Sequence, residues 1–474
     1  MVVIGAGAAG LAAAIEASRE GASCLVVEAF PKEGGAAATA GGGCCIVGSP
    51  LQQAAGIDDS VELALADWLA IGGPDADPVW ARYYLEHSRE DVYQWAESLG
   101  VRWSRLEHYE GNSVPRMHFP AGGGAELVDR LVGRARELHV RFAFSARAVE
   151  LLRWEGGAAG VLVTSGGGLE RVEAPAVVVA SGGFCNDHAR LVRLLGPWPP
   201  PERLLCGGAL QAKGLGHDLL GQVGAAFTCL DHVFIYATGT PDPDDPEHLR
   251  GLTVRTPSGG IVVNTAGRRI YDEGRLGFVA SAQALLAQRP RTSRLVFDST
   301  SAAELELGEP GYRIGATPLR DRVQHFLTQS PYVHRASDLD ELAVKAGVEA
   351  AGLFRTVSTF NRWVEARVSV DPEFGRDLTG ARTITAPPFY AVEFYPLARK
   401  SLGGVLTDMR CRVLDGAGSV IPGLYAAGEV AGMAGGHING AAGLEGTMVA
   451  PSMMAGRIAG RTAARERAAR ATAG

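Results

Sequence analysis

The chain opens with a block of apolar positions followed by glycines. Residues 1–4 are apolar and predict a short strand, and the alanine-rich residues 11–19 after the glycines predict a helix. Residues 24–27 predict a second strand, which ends at Glu28. This order is typical of a strand–turn–helix–strand unit.

Helical and strand patterns then alternate. Residues 58–100 have helical apolar spacing, and residues 127–138 predict an amphipathic helix. Residues 140–183 predict antiparallel strands with turns at 156–157 and 166–168, and they end in the buried strand 176–180.

The middle of the chain has a different texture from its two ends. Residues 260–271 predict a hairpin. A pattern of short strands and glycines is found again at 405–414 and 423–429, and a long helix is predicted from about Thr447. We therefore expect one α/β domain that is interrupted by an inserted domain. In the middle of the chain, helices are predicted at residues 281–289, 320–328 and 339–366.

Composition narrows the class of protein. A chain of 474 residues is too long for one hydrophobic core. Its 63 glycines gather in clusters, where backbone turns tightly or approaches a ligand. The net charge of -7, with Lys and Arg spread along the chain, argues against a nucleic-acid partner. Seven cysteines without a C-x-x-C pair indicate neither a disulfide framework nor a metal site.

Targeting features are also weak. No stretch approaches the roughly 18 apolar residues of a membrane span. The first residues resemble a core strand and not a charged leader. We therefore expect a cytoplasmic protein without a membrane span.

The first glycine cluster carries a specific motif. Gly5-x-Gly7-x-x-Gly10 follows a strand and opens a helix, and Glu28 ends the next strand. Gly5 permits the turn, Gly7 lets amides approach a pyrophosphate, and Gly10 lets the helix pack on the strand. The helix N-terminus attracts the phosphates, and Glu28 would accept hydrogen bonds from the ribose hydroxyls. The motif predicts a bound dinucleotide.

Two further features favour FAD over NAD. The loop 34–43, GGAAATAGGG, follows Glu28 closely, where a flavin needs close-approaching backbone. Gly428-Glu429 closes a strand near the C-terminus, as expected if the chain returns to hold the ribityl group.

Five segments together resemble one family. They are VVIGAGAAGLAAA, GGAAATAGGG, VVVASGGF, GGIVVNTAGRRIYDE and GGVLTDMRCRVLDGAGSVIPGLYAAGEV. The chain resembles the fumarate reductase/succinate dehydrogenase flavoprotein and 3-ketosteroid dehydrogenase group of FAD-dependent oxidoreductases. The resemblance implies an α/β fold, with a Rossmann-like FAD-binding domain (1–229 and 399–474) and an inserted α+β capping domain (230–398).

The resemblance also implies how FAD is held. Some members attach FAD through a histidine in the glycine loop, but this loop has none, so we expect non-covalent FAD. The closing helix points its N-terminus at the flavin pyrimidine ring, which favours hydride transfer at N5. The predicted cofactor contacts are Gly5, Gly7, Ala8, Ala9, Gly10, Glu28, Ala29, Gly34, Gly35, Ala36, Thr39, Ala40, Gly41, Gly42, Ala148, Ala180, Ser181, Gly182, Gly428, Glu429, Gly446, Thr447 and Met448.

The substrate residues of the family are only partly present. Lys400 replaces a histidine of fumarate reductases, Gly443 lies nearest their arginine, and Ala442 replaces the tyrosine of ketosteroid dehydrogenases. The glutamate–arginine acid relay has no clear match. His232 lies where the family has a substrate-binding histidine.

Other side chains are candidates for the missing chemistry. His437, in a glycine-rich loop, suits general acid/base work, and Asn439 is predicted to hydrogen-bond a substrate carbonyl. Arg399 and Lys400 are predicted to bind an anionic group. The alternatives are a structural loop histidine and an exposed basic pair. Tyr109 and Arg116 are weaker candidates, for which packing is the alternative.

These features together predict an FAD-dependent dehydrogenase or ene-reductase. It acts on a carbon–carbon bond beside a carbonyl or carboxylate of a small-molecule substrate, with an unidentified electron donor or acceptor. The alternatives are a 3-ketosteroid-type desaturase and a non-catalytic flavin-binding subunit.

Overall fold

The computed structural model describes residues 1–154, 157–274, 278–308 and 319–473. The chain divides into two compact units. Unit 1 comprises Met1–Asp187, Gly208–Phe234 and Lys400–Gly474, and unit 2 comprises His188–Gly207 and Ile235–Arg399. Among the described residues, none of the helices combines the length and the apolar character needed to cross a membrane.

The described part of the chain alternates between short strands and helices. The strands are β1 Val2–Ile4, β2 Leu25–Val27, β3 Cys44–Cys45, β4 Trp103–Glu107, β5 Met117–Pro120, β6 Arg141–Ala143, β7 Ala146–Trp154, β8 Gly157–Ser165, β9 Gly168–Glu173, β10 Val177–Val179, β11 Leu205–Cys206, β12 Phe227–Thr228, β13 Val233–Pro241, β14 Gly251–Arg255, β15 Ile261–Val263, β16 Ser293–Asp298, β17 Glu306–Gly308, β18 Val333–Ala336, β19 Phe389–Ser401, β20 Gly404–Val405, β21 Arg412–Leu414 and β22 Val420–Ala426. The helices are α1 Ala8–Arg19, α2 Pro50–Ala54, α3 Val61–Gly72, α4 Pro78–Ser88, α5 Trp95–Ser98, α6 Gly123–Glu137, α7 His188–Leu195, α8 Leu215–Gln222, α9 Phe278–Leu286, α10 Leu319–Gln329, α11 Leu339–Ala346, α12 Ala350–Glu365 and α13 Val449–Ala473.

A six-stranded sheet in the order β21-β22-β10-β1-β2-β6 organises unit 1. All its strands from β22 to β6 are parallel. Ile4 pairs with both Val27 and Val179, and Val179 pairs with Ala426. The central strands are continuous apolar runs because both faces of the sheet are covered. This register aligns the carboxyl ends of four strands at one edge.

The two ends of the chain meet in the packing of α1 against α13. A Cβ on Gly456 would lie 2.2 Å from the carbonyl oxygen of Ala9, so the helix backbones approach closely there. The buried Glu16 of α1 pairs with Arg457 of α13 at 3.4 Å. Glu16 also accepts a hydrogen bond of 2.9 Å from the indole of Trp95. The α/β segments at the two ends of the sequence thus belong to the same unit.

Smaller sheets complete unit 1. Strands β3, β5 and β4 form one antiparallel sheet, β7 to β9 form a second, and β12 pairs with β20. The antiparallel pattern predicted over 140–183 holds for the second of these sheets, but β6 and β10 at its two ends pair parallel in the six-stranded sheet. Residue 156 of the predicted first turn lies outside the described residues.

Unit 2 is built on a sheet of order β15-β16-β19-β13-β14-β17, in which β18 also pairs antiparallel and β11 parallel with β19. Residues 188–207, which were predicted to belong to the FAD-binding domain, lie in this unit. The physical reason is the pairing of β11 with β19, together with a hydrogen bond of 2.8 Å from the Gly207 amide to the Ala398 carbonyl.

Two helix bounds differ from the sequence expectation. The segment 339–366 forms two helices, because Gly347 ends α11 in a left-handed conformation with φ of 65°. The last helix begins at Val449, and Thr447 belongs to the turn before it.

Candidate active site

The predicted cofactor residues gather at the carboxyl edge of the parallel sheet. Gly5, Glu28 and Ala180 each directly follow the last residue of a strand. Gly428 is the second residue after the end of β22. In open α/β sheets, ligands bind in the crevice outside this edge. All four residues belong to unit 1.

The glycine turn has the geometry of a phosphate site. Gly5 has φ of 106°, which favours glycine, and its amide donates to the Val27 carbonyl at 2.8 Å. A Cβ on Gly10 would lie 1.9 Å from the Gly5 oxygen. Gly7 is the N-cap of α1 without a side-chain cap, and a Cβ there would meet nothing within 4 Å. The first amides of α1, from Ala8 and Ala9, have no acceptor within the helix, so they are suited to bind a pyrophosphate.

Glu28 is held in place by the backbone. Its Oε2 accepts a hydrogen bond from the Ala6 amide at 2.8 Å, and its Oε1 accepts one from the Phe30 amide at 2.9 Å. The side chain is buried, with Ala29 next in sequence. Each carboxylate oxygen keeps a lone pair, so the group can also accept the hydroxyls of a ribose.

The glycine loop is tied to this turn. The Gly34 amide donates to the Ala6 carbonyl at 2.9 Å, and a Cβ on Gly35 would lie 3.2 Å from the Cα of Gly7. The Ala40 carbonyl accepts from the Gly124 amide of α6 at 3.1 Å. The backbone of the loop therefore lies beside the proposed pyrophosphate position. The other predicted contacts in it are Ala36, Thr39, Gly41 and Gly42.

The segment after β10 offers a free hydroxyl. The Ala180 amide donates to the Ile4 carbonyl at 2.8 Å. The Oγ of Ser181 is buried and has no hydrogen-bond partner among the residues that the structure describes, which suits a cofactor hydroxyl. Gly182 follows with φ of 79°. Ala148, on β7, is buried in the hydrophobic core beside this sheet.

Glu429 is fixed by a residue outside the predicted set. Its Oε1 accepts hydrogen bonds from the amide and the hydroxyl of Ser401, at 2.9 and 3.0 Å. Burial raises the pKa of Glu429, and the hydrogen bonds from Ser401 together with the charge of Lys400 offset part of that rise. A Cβ on Gly183 would lie 2.1 Å from the same oxygen, so the two segments touch.

The turn before α13 is anchored at several points. The Gly446 carbonyl accepts from the Cys45 amide at 3.0 Å, and the buried Thr447 hydroxyl donates to the Leu444 carbonyl at 2.6 Å. Met448 is buried and precedes the first helical residue. The free amides at the start of this long helix give its N-terminus partial positive charge, which suits the pyrimidine end of a flavin.

The loop with His437 and Asn439 packs against that turn. The Nδ2 of Asn439, which is fully buried, donates to the Thr447 carbonyl at 3.1 Å. The Ile438 carbonyl accepts from the indole of Trp68 at 3.0 Å. The Nδ1 of His437 is buried and has no hydrogen-bond partner within the described part of the chain. The loop is therefore tied to α3 and to the turn before α13, and one nitrogen of the imidazole has no protein partner among the described residues.

The other predicted substrate residues have partners within their own units. The Nε2 of His232 lies 3.6 Å from Asp75 in unit 1. The ammonium of Lys400 lies 3.3 Å from Glu445, also in unit 1. Arg399 belongs to unit 2, where its guanidinium donates to the Gly207 carbonyl.

The two weaker candidates have structural partners. Arg116 is fully buried and pairs with Asp59 at 2.8 Å and with Asp67. The hydroxyl of Tyr109 donates to Glu107 at 3.2 Å. Burial, followed by the charge of Glu107, raises the pKa of Tyr109. Both arrangements agree with the packing alternative.

Sequence reasoning missed the residues that orient the predicted ones. Ser401, Glu445 and Trp68 lie outside the glycine motifs, and each is brought to the site by a contact distant in sequence. The only signal for them in the sequence is adjacency: Ser401 follows Lys400, and Glu445 precedes Gly446.

The parallel sheet, its glycine turn, the anchored acid on β2 and the returning C-terminal segment define a dinucleotide-binding flavoprotein, and the residues present fit FAD. Residues 1–449 match the model of the FAD binding domain family. The chain belongs to this family and is an FAD-dependent oxidoreductase.

Relatives and solved structures agree with this assignment. The chain is 29% identical to the fumarate reductase (cytochrome) of Shewanella frigidimarina, over 98% of this chain and 77% of that protein. It is 30% identical to a KsdD-like steroid dehydrogenase of Mycobacterium tuberculosis, over 98% and 95%.

The solved structures show both branches as well. The open conformation of a flavocytochrome c3 fumarate reductase matches with a TM-score of 0.75 and 28% identity, over 98% of this chain and 78% of that one. The 3-ketosteroid-delta4-(5alpha)-dehydrogenase of Rhodococcus jostii matches with a TM-score of 0.72 and 27% identity, over 98% and 96%.

Proposed function

We propose that this protein is an FAD-dependent dehydrogenase or ene-reductase that acts on the carbon–carbon bond beside a carbonyl or carboxylate. When bound, FAD supplies a hydride donor or acceptor at N5. The observation that carries the proposal is the His437 loop, which packs on the turn before α13 in the same unit as the glycine edge. The names of the relatives, which include fumarate reductase and steroid dehydrogenase, support this reaction class.

His437 is the proposed general acid/base. Its Nδ1 is buried and has no partner among the described residues, so it can give or take a proton at the substrate α-carbon. The backbone on its C-terminal side is held by Trp68, whose indole donates to the Ile438 carbonyl at 3.0 Å. Proton transfer by a positioned histidine contributes roughly 10²- to 10⁴-fold to a rate.

Asn439 is proposed to act through the cofactor turn, because its amide is engaged by the Thr447 carbonyl. A direct hydrogen bond from Asn439 to a substrate carbonyl remains a prediction, as do the substrate contacts of His232 and Arg399. The proposed role of the Asn439 amide is to hold the start of α13 in position for the flavin pyrimidine ring.

The attachment of FAD is proposed to be non-covalent, because loop 34–43 contains no histidine. Precipitation of the yellow protein with trichloroacetic acid should leave the flavin in the supernatant. A yellow pellet would contradict the proposal. A cytoplasmic location and a separate electron donor or acceptor remain predictions.

Anaerobic spectroscopy tests the proposed reaction. Purified oxidised holoenzyme is mixed with saturated acids, ketones and keto-steroids, and the chemically reduced enzyme is mixed with enoates and enones. Bleaching of the flavin band identifies a dehydrogenase, and reoxidation by an enoate or enone identifies an ene-reductase. A response confined to keto-steroids would favour the desaturase alternative, and no response to any compound would favour a non-catalytic flavin subunit.

A further inference from the structure

An ion pair lies between two segments of the proposed flavin site. Lys400 directly precedes Ser401, which holds Glu429, and Glu445 directly precedes Gly446 of the turn before α13. The Nζ of Lys400 lies 3.3 Å from Oε1 of Glu445. The two side chains are 21% and 14% exposed, so solvent screens the pair only partly.

Other contacts fix the position of this ammonium. Lys400 lies 4.7 Å from the ring centroid of Phe234. The next residue, Ser401, donates its amide to Glu429 at 2.9 Å, so Lys400 belongs to the segment that holds that carboxylate. On the other side of the pair, Glu445 adds to the effect of burial and Glu107 in raising the pKa of Tyr109. The pair therefore joins the segment that holds Glu429 to the turn before α13, with both of its side chains largely buried.

The candidate substrate ligands of unit 1 lie beside acidic side chains. Two residues considered as substrate ligands in this unit face a carboxylate: Lys400 faces Glu445, and His232 faces Asp75. A substrate carboxylate approaching Lys400 would have to share the ammonium with Glu445. Two carboxylates at one ammonium repel each other, which raises the cost of binding an anion.

We propose that Glu445 is a specificity-determining residue, which compensates the charge of Lys400 and thereby selects uncharged carbonyl substrates over carboxylates. The inference rests on the proposed function, because it assumes that the carbonyl end of the substrate binds beside these segments. Glu445 acts as the repulsive element, and Lys400 would bind an anion if that element were removed.

A matched pair of ligands tests the proposal without turnover. Crotonate and crotonamide, and likewise cinnamate and cinnamamide, have the same carbon skeleton and differ in charge. Binding to the oxidised holoenzyme is followed by the change in the flavin absorption spectrum. Because no hydride transfer is needed, the assay remains readable if the proposed reaction is wrong.

Glu445→Gln keeps the shape of the side chain and removes its charge. We expect it to lower the ratio of the carboxylate Kd to the amide Kd by about tenfold or more, since hydrogen bonds to charged groups are the strong ones. Glu137→Gln, on the exposed end of α6, is the matched control and should leave the ratio unchanged. No gain in carboxylate binding, including no binding at all, would overturn the proposal.

A second variant identifies the source of the gain. The double variant Glu445→Gln with Lys400→Gln should lose the gain in carboxylate affinity, because the ammonium that would bind the carboxylate is absent. A gain that persists in the double variant would refute the role of Lys400. If Glu445→Gln does not retain FAD, Lys400→Gln alone supplies the test: it removes the positive charge but keeps the Glu445 carboxylate, and the preference for the amide should widen by about tenfold.

Discussion

The hydrogen bond from Asn439 to Thr447 offers the sharpest test of how the flavin site is held. Asn439 is fully buried, and its Nδ2 lies 3.1 Å from the Thr447 carbonyl, directly before α13. Asn439→Ala leaves that buried carbonyl without its donor, at a cost of about 1–3 kcal/mol. The small cavity adds to the cost, while removal of the unpartnered Oδ1 offsets part of it. We expect the free energy of unfolding to fall by about 2 kcal/mol.

Asn439→Asp makes the prediction directional. The aspartate has nearly the same size but places an acceptor opposite the Thr447 carbonyl and brings a charge into a fully buried position. It should therefore destabilise the protein more than alanine does. A side chain that only contacts substrate would instead change KM and leave stability unaffected.

The measurements are urea unfolding of the apoprotein and FAD titration of the same variants. Both substitutions should weaken FAD binding, with aspartate the weaker binder. Asn361→Ala removes two bonds to Ile384 in unit 2, one from Nδ2 to the carbonyl at 3.0 Å and one from the amide to Oδ1 at 2.7 Å, and should lower stability without affecting FAD. Wild-type stability and FAD affinity in Asn439→Asp would refute the reasoning.

The acid/base, the glycine turn and a buried histidine each allow a further prediction. His437→Gln should slow flavin reduction or reoxidation in stopped-flow experiments by about 10²-fold or more at unchanged FAD content; an unchanged rate would remove His437 as the acid/base. Gly10→Ala should prevent FAD retention, because its Cβ would lie 1.9 Å from the Gly5 oxygen, whereas Gly133→Ala on α6, with nothing within 4 Å, should bind FAD normally. Burial lowers the pKa of His118 to about 4, so its unfolded state takes up a proton first as pH falls below about 6.5. The free energy of unfolding should therefore fall by about 3 kcal/mol as pH decreases from about 6.5 to about 4. His118→Gln should show a flatter dependence of the unfolding free energy on pH.

Local sequence determined the cofactor edge. Gly5, Gly10 and Glu28 act through backbone geometry and strand order, and both are encoded within about thirty consecutive residues in a dinucleotide-binding unit. The same holds for the long C-terminal helix and for the predicted return of the α/β texture. The family assignment and the FAD-dependent oxidoreductase class were therefore accessible from the sequence.

Tertiary structure decided the partners of the polar side chains. Lys400 and Glu445 are distant in sequence, as are Ser401 and Glu429, and no periodic pattern predicts which of them meet. The pairing of β11 with β19 likewise places 188–207 in unit 2, because a strand joins whichever edge offers hydrogen bonds. The sequence by itself determined which cofactor this protein binds. Only the fold determined which charges face one another beside that cofactor, because ion pairs form through space and leave no spacing in the chain.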